Sequence, residues 1–174
     1  MSAGAAVFRS LEGDWALDRV IEPGIGSLEG TARFSRLGET LLLYREEGKL
    51  LLTSGYSGEA FREYHYLLEG DQIRICFVQN GKTAGTMYTL RLDPDPADPD
   101  RADPDPAETD PAETDPSSSE PDPSPEATDV HLCNADIYRG QYRFDAEDRF
   151  TVRIEVTGPA KDHQITSRYQ KKSG

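Results

Sequence analysis

Apolar and polar residues alternate with a period of two along most of this chain, which is the pattern of half-buried β-strands. Turn signals such as Pro23-Gly24 and Asn80-Gly81 separate the alternating runs. We predict one short helix over 3–11 and ten strands. The strands are expected near residues 12–21, 28–36, 40–47, 60–68, 72–79, 86–92, 130–138, 140–145, 149–157 and 163–170.

Consecutive strands joined by short turns indicate an all-β fold. We predict a single antiparallel up-and-down β-barrel of about 8–10 strands, because a closed barrel leaves no open sheet edge. A β-sandwich is the alternative. Within the barrel, alternation places Trp15 and Leu17 on the inner face of the first strand together with Arg19.

One segment, 93–129, breaks the pattern. It holds fourteen acidic residues, ten prolines and a single basic residue, Arg101. It has no aromatic residue and no aliphatic side chain larger than alanine before residue 130, so it cannot bury enough apolar surface to offset its ordering entropy. We predict a disordered acidic insert here. Deleting 94–128 is expected to leave the fold intact.

The two parts of the chain on either side of the insert are expected to fold together. Residues 1–92 and 130–174 have about the length of one ordinary domain, and the second part is too short for a core of its own. We therefore predict one discontinuous β-barrel domain. An insertion in a hairpin connection is tolerable because the cost of loop closure grows only slowly with length.

The acidic net charge of −13 comes entirely from the insert. Elsewhere acidic and basic residues balance, which argues against a nucleic-acid partner. The chain has no secretory signal pattern and no apolar run of the roughly 20 residues that a membrane span needs. Two cysteines, Cys76 and Cys133, are expected to be reduced thiols in a cytoplasmic protein. The pattern does not indicate an oligomeric state.

Several polar residues lie in strand positions that point inward. An interior Arg19 and Glu46 must be paired, because an unpaired buried charge is very costly. One hypothesis is a structural Arg19–Glu46 ion pair. Another is a ligand cup with a few polar contacts on an apolar wall, and the two are compatible if the ion pair forms the floor.

The stretch from His131 carries the most candidate chemistry. His131 and Cys133 share one side of a strand, whereas Asp136 is expected on the other side unless a bulge intervenes. A zinc site needs three or four converging ligands, and a Cys–His nucleophile needs contact and an oxyanion hole. We therefore expect no metal here and no catalytic residue.

Two parts of the chain resemble an uncharacterised calycin-like (lipocalin-like) family, number 6314 among the domains of unknown function. The first is Gly13-Asp14-Trp15, similar to the start of calycin barrels, where the tryptophan plugs the closed end. The second is the pattern H-x-C-x-x-D-x-Y-x-G-x-Y-x-F from His131, followed by G-P-x-K-D from Gly158. The resemblance covers nearly all of 11–170 except the insert. The chain departs from it at His163, where an aromatic is usual.

The resemblance implies a fold more than an activity, so the function is argued from the barrel by analogy. The best hypothesis is a non-enzymatic barrel that binds a small, partly apolar molecule. Its candidate ligand-binding residues are Arg19, Tyr44, Glu46, Tyr64, His131, Asp136 and Tyr138. The hydroxyl of Tyr138 is expected to bond Arg19, Glu46 or Arg62, while Lys161 and Asp162 are expected to stabilise a turn. No cofactor is identified.

Three rival functions stay open. One is a haem-binding barrel, with His65, His131 or His163 as the axial ligand. Another is a small enzyme that uses His131, Asp136 and Tyr138 as acid–base groups. The last is a protein-interaction module that works through the acidic insert.

Overall fold

The computed structural model describes residues 1–92 and 124–174, which form one compact unit. It contains one helix and ten strands in these two ranges. They are α1 (Ala3–Leu11), β1 (Gly13–Glu22), β2 (Gly26–Gly38), β3 (Leu41–Leu52), β4 (Ser57–Glu69), β5 (Gln72–Gln79), β6 (Lys82–Arg91), β7 (Glu126–Cys133), β8 (Asp136–Ala146), β9 (Arg149–Gly158) and β10 (Lys161–Lys171).

All ten strands belong to one antiparallel sheet that curls into a nearly closed barrel. The strand order is β6-β5-β4-β3-β2-β1-β10-β9-β8-β7, so consecutive strands are sheet neighbours except β6 and β7, and β1 pairs with β10. This is the predicted up-and-down barrel, and the β-sandwich alternative is wrong. The alternation in the sequence was informative because a barrel wall has one buried face and one face in water.

The two ends of the sheet, β6 and β7, meet along a seam. Within the described residues no backbone ladder joins them, but the Thr89 backbone N–H donates to Asp129 Oδ2 at 2.7 Å. The Tyr88 hydroxyl donates to the backbone carbonyl of Tyr138 at 3.3 Å. Side chains therefore make some hydrogen bonds across the seam, one to β7 and one to β8, which satisfies part of the exposed edge.

Helix α1 closes one end of the barrel. Its buried side chains, Val7, Phe8 and Leu11, pack into the barrel core. Trp15 is 1% exposed, and its indole N–H donates to the Leu11 carbonyl at 2.8 Å. Trp15 therefore plugs the closed end, as the resemblance implied.

The start of β7 corrects the predicted domain boundary. Residues 126–129 lie in β7 and pair with β8, and Ala127 is 5% exposed within the core. The composition of this stretch concealed the strand, because its one core side chain is only an alanine. The rest of the predicted acidic insert, 93–123, lies outside the described residues, and its disorder stays a prediction.

A turn within the predicted strand 130–138 is the second correction. Cys133 and Asp136 face each other across the β7–β8 hairpin, and Asn134 adopts a left-handed φ of 55°. Asparagine tolerates this conformation better than most residues, which allows a tight turn without glycine. The hairpin turns Asp136 to the same face as Cys133, so the expectation that they point to opposite sides is wrong.

Candidate functional site

The half of the barrel opposite helix α1 is open. Five short turns surround this end, those of β1–β2, β3–β4, β5–β6, β7–β8 and β9–β10. The inner-face side chains near these turns are partly exposed, and we call their concave surface the cup. The cup includes Leu50, Ala60, Arg62, Tyr64, Phe77, His131, Tyr138, His163 and Ile165.

A buried ion pair forms the floor of the cup. Arg19 on β1 binds Glu46 on β3 through two parallel contacts, Nη1 to Oε1 at 2.7 Å and Nη2 to Oε2 at 2.8 Å. Arg19 Nε donates to Ser167 Oγ at 2.7 Å. Both charged residues are buried. The predicted Arg19–Glu46 ion pair is thus present, with the planar fork geometry that suits a desolvated pair.

Two tyrosines complete this floor network. The Tyr44 hydroxyl donates to Glu46 Oε2 and also lies 2.9 Å from the Tyr169 hydroxyl. Burial alone would raise the pKa of Glu46, but the hydrogen bonds and charge of Arg19, with the Tyr44 hydroxyl, hold it below its usual value. Burial also raises the pKa of Tyr44. At neutral pH the floor therefore contains an ionised carboxylate that accepts hydrogen bonds from Arg19 and Tyr44.

A succession of rings forms one wall of the cup. Tyr64 stacks on Tyr44 with ring centroids 6.0 Å apart, and Phe77 lies 6.0 Å from Tyr64. His131 on β7 lies 5.4 Å from Phe77 and 6.3 Å from Tyr138. The rings thus run along the wall from β3 to β8, and the contact between Phe77 and His131 spans the seam. They provide an apolar surface with a few polar atoms at its edges.

The rim of the cup carries a second ion pair. Lys161 Nζ lies 2.7 Å from Asp136 Oδ2 and donates to the Tyr138 hydroxyl at 3.0 Å. The hydrogen bonds to Asp136 and Tyr138 raise the pKa of Lys161, so this amine is a cation at neutral pH. The expected pairing of Lys161 with Asp162 is wrong, and so is the expectation that Arg19, Glu46 or Arg62 bonds Tyr138. Both partners of Lys161 come from a strand distant in sequence.

Of the three histidines, one lies on the outer face of the barrel and two face the cup. His65 lies on the outer face and its Nδ1 is 2.7 Å from Thr83 Oγ1, which removes it as a haem ligand inside the barrel. His131 and His163 both face the cup, in one register row with Tyr138 and Val156 between them. Among residues 1–92 and 124–174, no group of three His, Cys, Asp or Glu side chains is placed to hold a metal ion.

All seven candidate ligand-binding residues lie on the inner face of the barrel. Arg19, Tyr44 and Glu46 belong to the floor, Tyr64 and His131 to the wall, and Asp136 and Tyr138 to the rim. Their binding role stays a prediction.

Sequence reasoning left several contributors off the list of candidates, among them Phe77 in the cup and Ser167 in the floor. Phe77 alternates in phase with Ile73 and Ile75, so its inner position was readable from the pattern, whereas the partnership of Ser167 with Arg19 depends on strand pairing.

The chain belongs to a family of unknown function, DUF6314, whose family model matches residues 11–171. The resemblance drawn from the motifs is therefore confirmed. No curated protein matches the chain in sequence. In the described residues, no helix has the length and apolar character needed to cross a membrane.

Solved structures with a similar fold share little sequence with this chain. EF1p2_mFAP2b bound to DFHBI is 10% identical, with a TM-score of 0.48 and coverage of 98% of this chain and 100% of that chain. The redesigned beta barrel mFAP1 bound to DFHBI is 12% identical, with a TM-score of 0.43 and the same coverage. Rv2717c from M. tuberculosis is 12% identical, with a TM-score of 0.38 and 99% coverage of both chains.

Proposed function

We propose that this protein is a non-enzymatic binding barrel whose cup takes up a small, partly apolar molecule. One observation supports the proposal most directly. Phe77 points into the barrel, yet it is 36% exposed, whereas Trp15 on the inner face of the closed half is 1% exposed. Exposed apolar surface costs about 25 cal/mol per Å², so a ligand that covers the cup gains that free energy.

The chemistry of the cup fits a small-molecule site. Such sites are concave and mostly apolar, with a few polar groups that orient the ligand. Here Leu50, Phe77 and Ile165 supply apolar surface, while Tyr64 and Tyr138 supply hydroxyl groups from opposite parts of the wall. The floor network beneath them is already satisfied, so the ligand does not have to break it.

The proposed non-enzymatic role follows from the ion pairs made by the acidic side chains of the inner face. General acid–base catalysis needs a group within hydrogen-bond reach of a substrate proton. Glu46 is bound by Arg19 and Tyr44 in the floor, and Asp136 is bound by Lys161 at the rim. His131 packs beside Phe77 and Tyr138 as part of the ring wall. We therefore propose that these groups shape and orient, and do not transfer protons.

The first test is native mass spectrometry of the protein purified from its own cells. We expect a retained mass that corresponds to a small molecule and disappears on denaturation. An absorption spectrum of the same sample distinguishes the haem hypothesis, because a haem bound through His131 or His163 colours the protein. A strong haem band would replace the present proposal.

A second test fills the cup. Ala60 lies on the inner face of β4, and Ala16 lies exposed on the outer face of β1. Ala60→Phe should abolish the uptake of an apolar fluorescent dye, whereas the matched substitution Ala16→Phe should leave it unchanged. Thermal melts establish that both variants are folded. Equal dye uptake by Ala60→Phe, Ala16→Phe and the parent chain would contradict binding in the cup.

A further inference from the structure

We infer that the ligand of the cup carries a carboxylate on a flat aromatic body, and that Arg62 binds this carboxylate. The inference rests on the proposed binding function and adds the chemical class of the ligand. It rests on a difference between the charged side chains of the inner face: the carboxylates have close partners, whereas Arg62 lies farther from its nearest carboxylate.

The carboxylates on the inner face all have close partners. Glu46 Oε1 and Oε2 lie 2.7 and 2.8 Å from the Arg19 guanidinium nitrogens. Asp136 Oδ2 lies 2.7 Å from Lys161 Nζ, and Asp129 Oδ2 accepts from the Thr89 backbone N–H at 2.7 Å. These contacts occupy the anions of the cup, so a cationic ligand would have to displace an existing partner.

Arg62 is held much more loosely. It lies opposite Glu46 in the β3–β4 register, but its nearest approach is Nε to Glu46 Oε1 at 3.8 Å. Because Nε makes this approach, the two terminal nitrogens lie farther from that oxygen. The Arg62 side chain is 48% exposed, while that of Glu46 is 4% exposed. Arg62 thus places a permanent cation above a floor whose carboxylate is already bound.

The wall beside Arg62 favours an aromatic ligand. Tyr64 follows two residues later on the same face of β4; burial raises the pKa of its hydroxyl, while the charge of Arg62 and a hydrogen bond from Arg62 oppose the rise. The Tyr64 hydroxyl is therefore a neutral donor close to the guanidinium. Phe77 and His131 continue the ring surface from Tyr64. A planar acid can stack on these rings while its carboxylate meets Arg62, whose planar fork matches a carboxylate.

The test compares two probes with the same body, 2-naphthoate and 2-naphthamide, by isothermal titration with the full chain at pH 7. Naphthoate is an anion at this pH and naphthamide is neutral. We expect naphthoate to bind about tenfold more tightly or better, because hydrogen bonds to charged groups are the stronger ones. Arg62→Gln should remove this preference by weakening the binding of naphthoate much more than that of naphthamide.

Arg139→Gln is the matched control, since Arg139 is an exposed arginine on the outer face of β8. It should retain the preference for naphthoate. Equal affinities for both probes in the parent chain, or a preference that survives Arg62→Gln, would overturn the assignment of a carboxylate and leave the binding barrel standing. If neither probe binds while an apolar dye enters the cup, the aromatic acid is wrong. If dye and probes all fail, the binding function fails with it.

Discussion

The closed and open halves of this barrel both have walls lined with aromatic rings. The rings are buried in the closed half and partly exposed in the open half. In the closed half the rings are buried: Trp15 is 1% exposed, Phe150 3% and Tyr169 7%, and Phe150 stacks on Tyr169 with centroids 4.1 Å apart. In the cup, the wall rings from Tyr64 to Tyr138 lie 5.4–6.3 Å apart and stay partly exposed.

The difference separates the half that stabilises the fold from the half in which we propose binding. The closed half buries its rings against helix α1 and against one another, so it contributes most of the hydrophobic free energy of folding. The open half keeps apolar surface and hydroxyl groups accessible at some cost in stability. The Arg19–Glu46 pair separates the two halves, since it supports the packed core and forms the floor of the cup.

The largest expected effect is at the plug. Trp15→Ala should lower the free energy of unfolding by about 3–5 kcal/mol, because it removes a buried aromatic and leaves a cavity. Phe77→Ala, the matched change in the cup, should cost less than about 1.5 kcal/mol, because much of the ring is already exposed. Urea denaturation measures both. Equal losses for the two variants would show that the halves do not differ as described.

The next effect is at the boundary between the halves. Arg19→Met should cost about 3 kcal/mol at pH 7, because it leaves the Glu46 carboxylate buried without its main partner. Urea denaturation measures the free energy of unfolding of each variant. The loss should exceed that of the control Arg153→Met, because Arg153 is an exposed arginine on the outer face of β9.

The pH dependence of stability sharpens the same comparison. In the parent chain the pKa of Glu46 is lower folded than its usual value of 4.5, so the unfolded state binds more protons and this contribution to stability is lost as pH falls below about 4.5. In Arg19→Met, burial should raise the pKa of Glu46, so stability should instead fall as pH rises above 4.5. Urea denaturation at pH values from about 3 to 7 measures the sign of the slope on each side of 4.5. The same slope in both proteins would contradict the role given to Arg19.

A smaller effect separates two tyrosine hydroxyl groups. Tyr44→Phe should cost about 1–2 kcal/mol of stability, because a buried acceptor on Glu46 loses its donor. Tyr138→Phe should barely move the melt, since Lys161 keeps its contact with Asp136, and it should weaken ligand binding by about 0.5–1.5 kcal/mol. Thermal melts and titration distinguish the two. A large melting shift for Tyr138→Phe would place that hydroxyl in the core and not in the cup.

The smallest expected effect concerns the segment between β6 and β7. Replacing residues 94–123 by a short Gly-Ser loop should shift the melting temperature by no more than a few degrees, because a few residues suffice for a hairpin connection. Replacing 94–128 should destabilise measurably, since it removes the paired start of β7 and the buried Ala127. Equal melting temperatures for the two deletions would show that this strand start contributes nothing.

Much of the barrel was predictable because its signals are local. Alternation identified ten strands and the inner positions of Arg19, Glu46 and Tyr138, and the cost of burying an unpaired charge made an Arg19–Glu46 pair one of the two hypotheses. The predictions failed where a local signal was weak or misleading. Pro-rich, acidic composition continued up to residue 126 and hid the start of β7, and the Asn134 turn carried no glycine to announce it.

The sequence by itself determined the strand period, the polarity of the two faces and the neutrality of the barrel outside its acidic segment, because each depends on residue type and spacing. The tertiary structure decided which inward side chains meet. Lys161 bonds Asp136 and Tyr138 only because β8, β9 and β10 are neighbours in this register. Phe77 faces His131 only because the sheet curls until β5 and β7 approach each other. Such contacts depend on closure of the whole barrel, which no local pattern encodes.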